Sequence, residues 1–332
     1  MHAIRIALVV FGLILATPAL PDESGNNTAQ EIAPGILVLP GQLQADHSPD
    51  GNSIILRGSE GLTIIDSGRG GEHTTALIRI VKDSGAPLAA LINTHWHLDH
   101  IGGNARFRQT WPNLHIHAHP SLDAALAGFH ADNRKQLELL LPTLARDSPE
   151  RARYAAELKL LQLDRALAET DRVTGSTTLK LGGRTLDVHV SPHSVTEGDL
   201  WIFDPQTKIL IAGDLVTLPV PLFDTACPEG WRDALETLSR VDFKLLVPGH
   251  GAPMTRPAFE SYRSAFGDLL TCSTGAADKH LCIDAWMSDM QASIASADAP
   301  YARRLLDYYI EQFIKTGSAG RKRWCADPGS GS

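Results

Sequence analysis

Four residues able to bind a cation fall close together in the run Thr94-His95-Trp96-His97-Leu98-Asp99-His100. They are His95, His97, Asp99 and His100. The apolar stretch 88–92 before them reads as a buried strand, so the imidazoles leave its end on a loop. Alternate side chains of an extended segment share a side, which groups His95 with His97. Once the chain turns, Asp99 and His100 face a second point nearby. Imidazole and carboxylate donors around an open volume are what a catalytic zinc site needs. Gly102-Gly103 then permits a tight turn into a helix beside the loop.

The elements that must hold this loop are legible as turns and periodicities. Strands are predicted over 35–40, 52–57 and 62–65, the last two joined by Gly58-Ser59-Glu60-Gly61 and ending at Asp66-Ser67-Gly68. A helix over 73–83 carries Leu77, Ile80 and Val81 on one face, and a short helix covers 104–110. Residues 114–119 alternate, with His115, His117 and His119 on one side. This is ordinary strand patterning, read as a polar strand face rather than a second metal site. Further strands are predicted over 178–181, 186–190, 200–204, 208–212 and 244–247, with a helix over 230–241. His189 falls inside one of these strands and reads as structural.

Residues 121–174 differ in kind. They are rich in Ala, Leu, Glu and Arg, broken by Pro142 and Pro149, with Ala156, Leu160, Leu163 and Leu167 as an apolar stripe. They read as an insertion of two or three helices, serving either as scaffold or as a cover that shapes a pocket. Residues 257–316 also read as helical, with Ala302, Leu305, Leu306, Tyr309 and Phe313 on one face. The expected organisation is a main domain over 31–255 and a helical extension over 256–332.

Residues 1–20 look like a secretory signal: Arg5, an apolar run over 6–15, then Ala16 and Ala19, with cleavage expected near Ala19. The run is too short to span a bilayer, so no stable membrane insertion is expected after cleavage and the location is periplasmic or secreted. Residues 21–30 read as a leader of the mature chain. Four cysteines, Cys227, Cys272, Cys282 and Cys325, all lie in the last third. An even count in an exported chain suggests disulfides, and three pairings are open; Cys272–Cys282 with Cys227–Cys325 is favoured. A net charge of −8 argues against a nucleic-acid partner; the partner expected is a small-molecule substrate. Oligomeric state is not encoded in any motif.

The run His95-x-His97-x-Asp99-His100 resembles the signature of the metallo-β-lactamase superfamily. The resemblance implies an α+β fold, a four-layer αββα sandwich with one or two metals at one edge. It also points to the remaining ligands. Ser191-Pro192-His193-Ser194 is similar to the family's second-half His, usually followed by Thr-x-Gly, although the Gly-Asp here comes two residues later. Gly213-Asp214 resembles the family's metal-bridging carboxylate, and Pro248-Gly249-His250-Gly251 its final His. Asp66 matches an Asp-x-Gly turn beneath the metal loop. On this pattern His95, His97 and His193 would hold one metal, Asp99, His100 and His250 the other, and Asp214 would bridge them.

Two zinc ions are therefore expected, with iron or manganese also compatible with mixed imidazole and carboxylate donors. The implied reaction is hydrolysis of a carboxylic ester, thioester, lactone or lactam by a hydroxide shared between the metals, oriented by Asp99. A true β-lactamase is the nearest rival; those enzymes mostly carry Cys or Ser near the position of Asp214. A single-iron oxidoreductase and a non-catalytic periplasmic protein that keeps the fold are the others.

Overall fold

The computed structural model describes residues 28–43 and 48–325. The expected signal segment lies outside them. Two sheets face each other. The first has seven strands in sequence order: β1 (Gln30–Ala33), β2 (Ile36–Leu39), β3 (Ser53–Arg57), β4 (Leu62–Ile65), β5 (Leu88–Ile92), β6 (Ile116–Ala118) and β7 (Asp171–Arg172). The second runs β13 (Met254–Thr255), β12 (Leu245–His250), β11 (Ile209–Thr217), β10 (Gly198–Asp204), β9 (Arg184–Pro192) and β8 (Thr177–Leu181).

Alternation along the strands builds the layers. Ile54 and Leu56 of β3 and Ile65 of β4 point between the sheets, where they meet Leu200 and Ile202 of β10, Ile211 of β11 and Val247 of β12. Their neighbours Ile55, Ile64 and Leu91 face outward onto α1 (Glu72–Asp83) and α3 (Asn104–Thr110), against Leu77, Val81 and Phe107. Across the sandwich, Leu210 and Ala212 of β11 face α7 (Pro228–Ser239), α8 (Arg256–Thr274), α9 (Lys279–Asp289) and α10 (Ala299–Tyr309), packing with Leu235, Phe266, Trp286 and Leu306. A period of two on each strand thus feeds two cores, and the helices close the outer faces. This is the αββα sandwich.

β1 falls at the end of the stretch read as a leader. Its sequence Gln-Glu-Ile-Ala is half exposed, so it carries little apolar signal, yet it pairs antiparallel with β2. Residues 121–170 form α4 (Ser121–Ala127), α5 (Phe129–Leu140) and α6 (Pro149–Leu161), and β7 then rejoins the first sheet beside β6. The expected stripe is split: Leu167 is fully buried but does not lie on α6. The helix stops at Leu161, so Leu163 and Leu167 lie beyond it; Ala156 is exposed and Leu163 is 37% exposed. The face that packs is Tyr154, Leu158 and Leu161. It meets Leu122, Leu126 and Leu137 and covers Trp96, Leu98 and Ile101 beside the histidine loop. The last helix, α11 (Ala319–Trp324), ends at Cys325.

Both favoured disulfides are present: Cys272–Cys282 joins α8 to α9, and Cys227–Cys325 ties α11 to the start of α7. Among the described residues no helix is long and apolar enough to cross a membrane.

Candidate metal centre

The centre forms where strands of both sheets end at one edge. β5 delivers Thr94 to His100, with α2 (Leu98–Ile101) turning Asp99 and His100 inward. β11 delivers Asp214 and β12 ends on His250. β11 and β12 are parallel neighbours, so both side chains leave the same end of the sheet.

Two groups of ligand atoms result, each within 4.8 Å: His95, His97 and Asp214, and Asp99, His100 and His250. Asp214 stands between them. Its Oδ2 lies 3.5 Å from His95 Nε2 and 3.9 Å from His97 Nδ1, while its Oδ1 lies 3.2 Å from His100 Nε2 and 3.6 Å from His250 Nε2. His250 Nε2 is also 3.1 Å from Asp99 Oδ2. The Nε2 atoms of His95, His100 and His250 and both Asp214 oxygens are buried without a hydrogen-bond partner. Orphaned buried polar atoms are costly, and here they converge from several directions. A cation satisfies all of them together, so the donor set fits a metal.

The electrostatics agree. Burial pushes the Asp214 carboxyl up, but His100, His250 and His95 pull it down further, well below the usual carboxylate range. Burial depresses His100, yet Asp214, Asp66 and Asp99 outweigh it and raise its pKa well above normal. Asp214 and Asp99 likewise raise His250 against its burial; a dication bound there would take over this charge balance. His95, by burial and by His100, is lowered to about 4 and stays a neutral donor.

The surrounding groups fix the rings. Asp66 Oδ2 lies 2.8 Å from His100 Nδ1 and accepts from Thr94 Oγ1, while its Oδ1 accepts from the Thr94 amide. One buried carboxylate therefore orients a ligand and holds the loop that carries it. His95 Nδ1 sits 3.0 Å from Thr94 Oγ1, and His97 Nε2 sits 2.7 Å from Thr225 Oγ1. Asn52 stitches the two halves: its Nδ2 donates to the carbonyls of Pro248 and Gly251 on either side of His250.

His193 is the exception, and the expectation that it is a third ligand is corrected here. It enters neither group. β9 ends at Pro192 and pairs with Gly198 of β10, leaving 193–197 as the connecting loop, in which His193 takes a left-handed φ of 48°. The Thr-x-Gly run of this loop is Thr196-Glu197-Gly198, and the residue before it is Val195, fully buried. An aliphatic residue thus stands where a ligand was sought. Reading the Thr-x-Gly backwards, rather than searching for the nearest His, would have found it.

His115, His117, His119 and His189 lie outside both groups. His115 pairs with Asp171 at 2.9 Å, and His189 stacks on Trp201 with ring centroids 3.9 Å apart. Cys227 and Cys325 lie near Glu229, but their sulfurs are joined to each other. The apolar run 218–223 is mostly core; Leu222 alone of it lines the cavity at the centre. That cavity, about 380 Å³, is walled by Arg69, His97, His130, Asp224 and Thr225 among others. His130, Arg69 and Thr225 carry no local motif and reach the site from separate elements. His130 comes from α5 of the insertion, its Nε2 donating to the Trp96 carbonyl at 3.0 Å; burial lowers its pKa to about 4.

The model of the metallo-beta-lactamase superfamily matches residues 49–250. The chain belongs to that superfamily. A curated atrochrysone carboxyl ACP thioesterase of Passalora fulva is 31% identical over 102 residues, which is 30% of this chain and 29% of the relative. A lactamase-like protein of Pestalotiopsis microspora is 29% identical over 99 residues, again 29% of either chain. The chain thus spans less than a third of the curated relatives it matches. Among solved structures, a metallo-beta-lactamase from Pontibacter korlensis superposes with a TM-score of 0.55 at 20% identity, covering 73% of this chain and 99% of the other. The DIM-1 metallo-beta-lactamase exposed to ceftazidime gives 0.54 at 16% identity, covering 74% and 99%. At these identities the likeness is one of fold.

Proposed function

We propose that this hydrolase of the superfamily is a zinc-dependent enzyme that cleaves a carboxylic ester, thioester or lactone, with lactams as poorer substrates. The observation that carries the reading is Asp214, whose two buried, otherwise unpartnered oxygens face separate ligand groups. Zinc bound there supplies Lewis acidity and a water that ionises near neutral pH. The protein supplies placement. Asp99, ionised and 6% exposed at the cavity wall, accepts a proton or holds the attacking water in line. Asp66 keeps His100 in the tautomer that presents Nε2 to the centre. α5 and α6 contribute Phe129, His130, Asn133 and Glu157 to the cavity wall. The thioesterase among the relatives favours the ester and thioester side of the range. Export from the cytoplasm fits two disulfides and belongs to the same proposal.

The test is a turnover screen of zinc-loaded protein on an aryl ester, an acyl thioester, a lactone and a cephalosporin. Hydrolysis of the first three, abolished by chelator and by His100→Ala, is expected. Activity that survives metal removal, or none on any substrate, would overturn the reading.

A further inference from the structure

The two ligand groups are unequal. Around Asp99 the chain offers four donor residues: Asp99 Oδ2, His100 Nε2, His250 Nε2 and Asp214 Oδ1, separated by 3.1 to 3.8 Å wherever they pair. Asp99, His100, Asp214 and His250 are 6% exposed or less. Two carboxylates and two neutral imidazoles would cancel the charge of a dication and supply four donors, the number that structural zinc sites use.

The other side has three donors: His95 Nε2, His97 Nδ1 and the remaining oxygen of Asp214. The charge of that carboxylate is already shared with the first group. His97 is the more exposed ring. No further imidazole, thiolate or carboxylate of the described residues joins it. The loop that could have supplied one presents Val195, with an aliphatic side chain in the core. The nearest hydroxyl, Thr225 Oγ1, donates to the Val195 carbonyl at 2.9 Å and contacts His97 on the far nitrogen from the centre.

We propose that the centre fills in sequence. One dication is held tightly by Asp99, His100, Asp214 and His250. A second, at His95 and His97, binds at least about tenfold more weakly, since losing a ligand costs no less than disturbing the groups that orient one, which is about 10- to 100-fold. The protein therefore carries one metal at low zinc and takes a second as zinc rises. The inference rests on reading these groups as metal ligands, but its test uses metal counts and no substrate.

Full-length mature protein, stripped with chelator, is titrated with zinc by calorimetry, and the metal retained after desalting is measured by elemental analysis. The expected result is about one zinc retained, with a second event at least about tenfold weaker. In variants whose circular dichroism matches the parent, His250→Ala loses the retained zinc and His95→Ala keeps it. Two zincs retained with equal affinity would overturn the proposal while leaving the hydrolase reading intact. No zinc bound at all would sink both. Retention in His250→Ala with loss in His95→Ala would reverse the order and reject it.

Discussion

Removing the two disulfides should have very different effects. Cys227 and Cys325 are 98 residues apart in sequence, Cys272 and Cys282 only 10. A cross-link stabilises mainly by limiting the unfolded chain, and the effect grows with the logarithm of the loop it closes. That gives about 4.7 kcal/mol for the long loop and about 2.7 kcal/mol for the short one at 25 °C. The short loop is nested inside the long one and shortens it by about a tenth, which changes the larger figure by only about 0.1 kcal/mol. The two contributions are therefore separable. Equilibrium urea unfolding, followed by tryptophan fluorescence on metal-free protein, should show Cys227→Ser/Cys325→Ser losing about 2 kcal/mol more than Cys272→Ser/Cys282→Ser. The long pair also holds α11 where Arg321 meets Glu229, so native contacts add to the same side of the difference. If the short pair costs as much as the long one, or more, the loop-entropy reasoning fails for this fold.

Three further outcomes are expected. Asp66→Asn removes the carboxylate that His100 and Thr94 share, and zinc affinity measured by competition with a chromogenic chelator should fall about 10- to 100-fold with the fold retained. His117→Ala, on the strand beside β5 but outside both ligand groups, should leave the zinc count unchanged; a loss of metal would contradict the placement of the centre. His130 is neutral in the fold with its pKa lowered to about 4, below its ordinary value of 6.5, so the unfolded chain takes up the proton first as pH falls. Its contribution to stability is present above about pH 6.5 and is lost as pH falls towards 4, so His130→Gln should flatten the acid side of the stability–pH curve in that window.

What could be read from the chain follows how local each signal is. His95, His97, Asp99 and His100 sit within one turn of strand and helix, so their type and spacing suffice. Asp214 and His250 are reachable because each follows a buried apolar run, although β11 continues past Asp214 to Thr217, and the two-residue period of those strands also forecasts the sandwich. His193 was misread because the chain between β9 and β10 was searched for a residue type, when the turn fixes a position. Val195, being aliphatic, raises no flag. Thr225, Arg69 and His130 could not be found at all: each meets the centre from an element far away in sequence, and nothing local marks a side chain that acts by where the fold carries it. The stripe Ala156, Leu160, Leu163 and Leu167 runs past the end of α6 at Leu161, so the face that packs is Tyr154, Leu158 and Leu161 instead.

The centre is split across the two sheets, and this orders events in time. A chain that emerges N-terminus first presents His95 to His100 long before Asp214, and His250 only when that part of the fold is nearly made. Until Asn52 docks against Pro248 and Gly251, the tight position lacks half its donors. Metal choice is thus deferred to wherever the domain completes itself. Under the proposed export, a chain that crossed the membrane unfolded would take its ion from the metal supply on the far side and not from that of the cytoplasm.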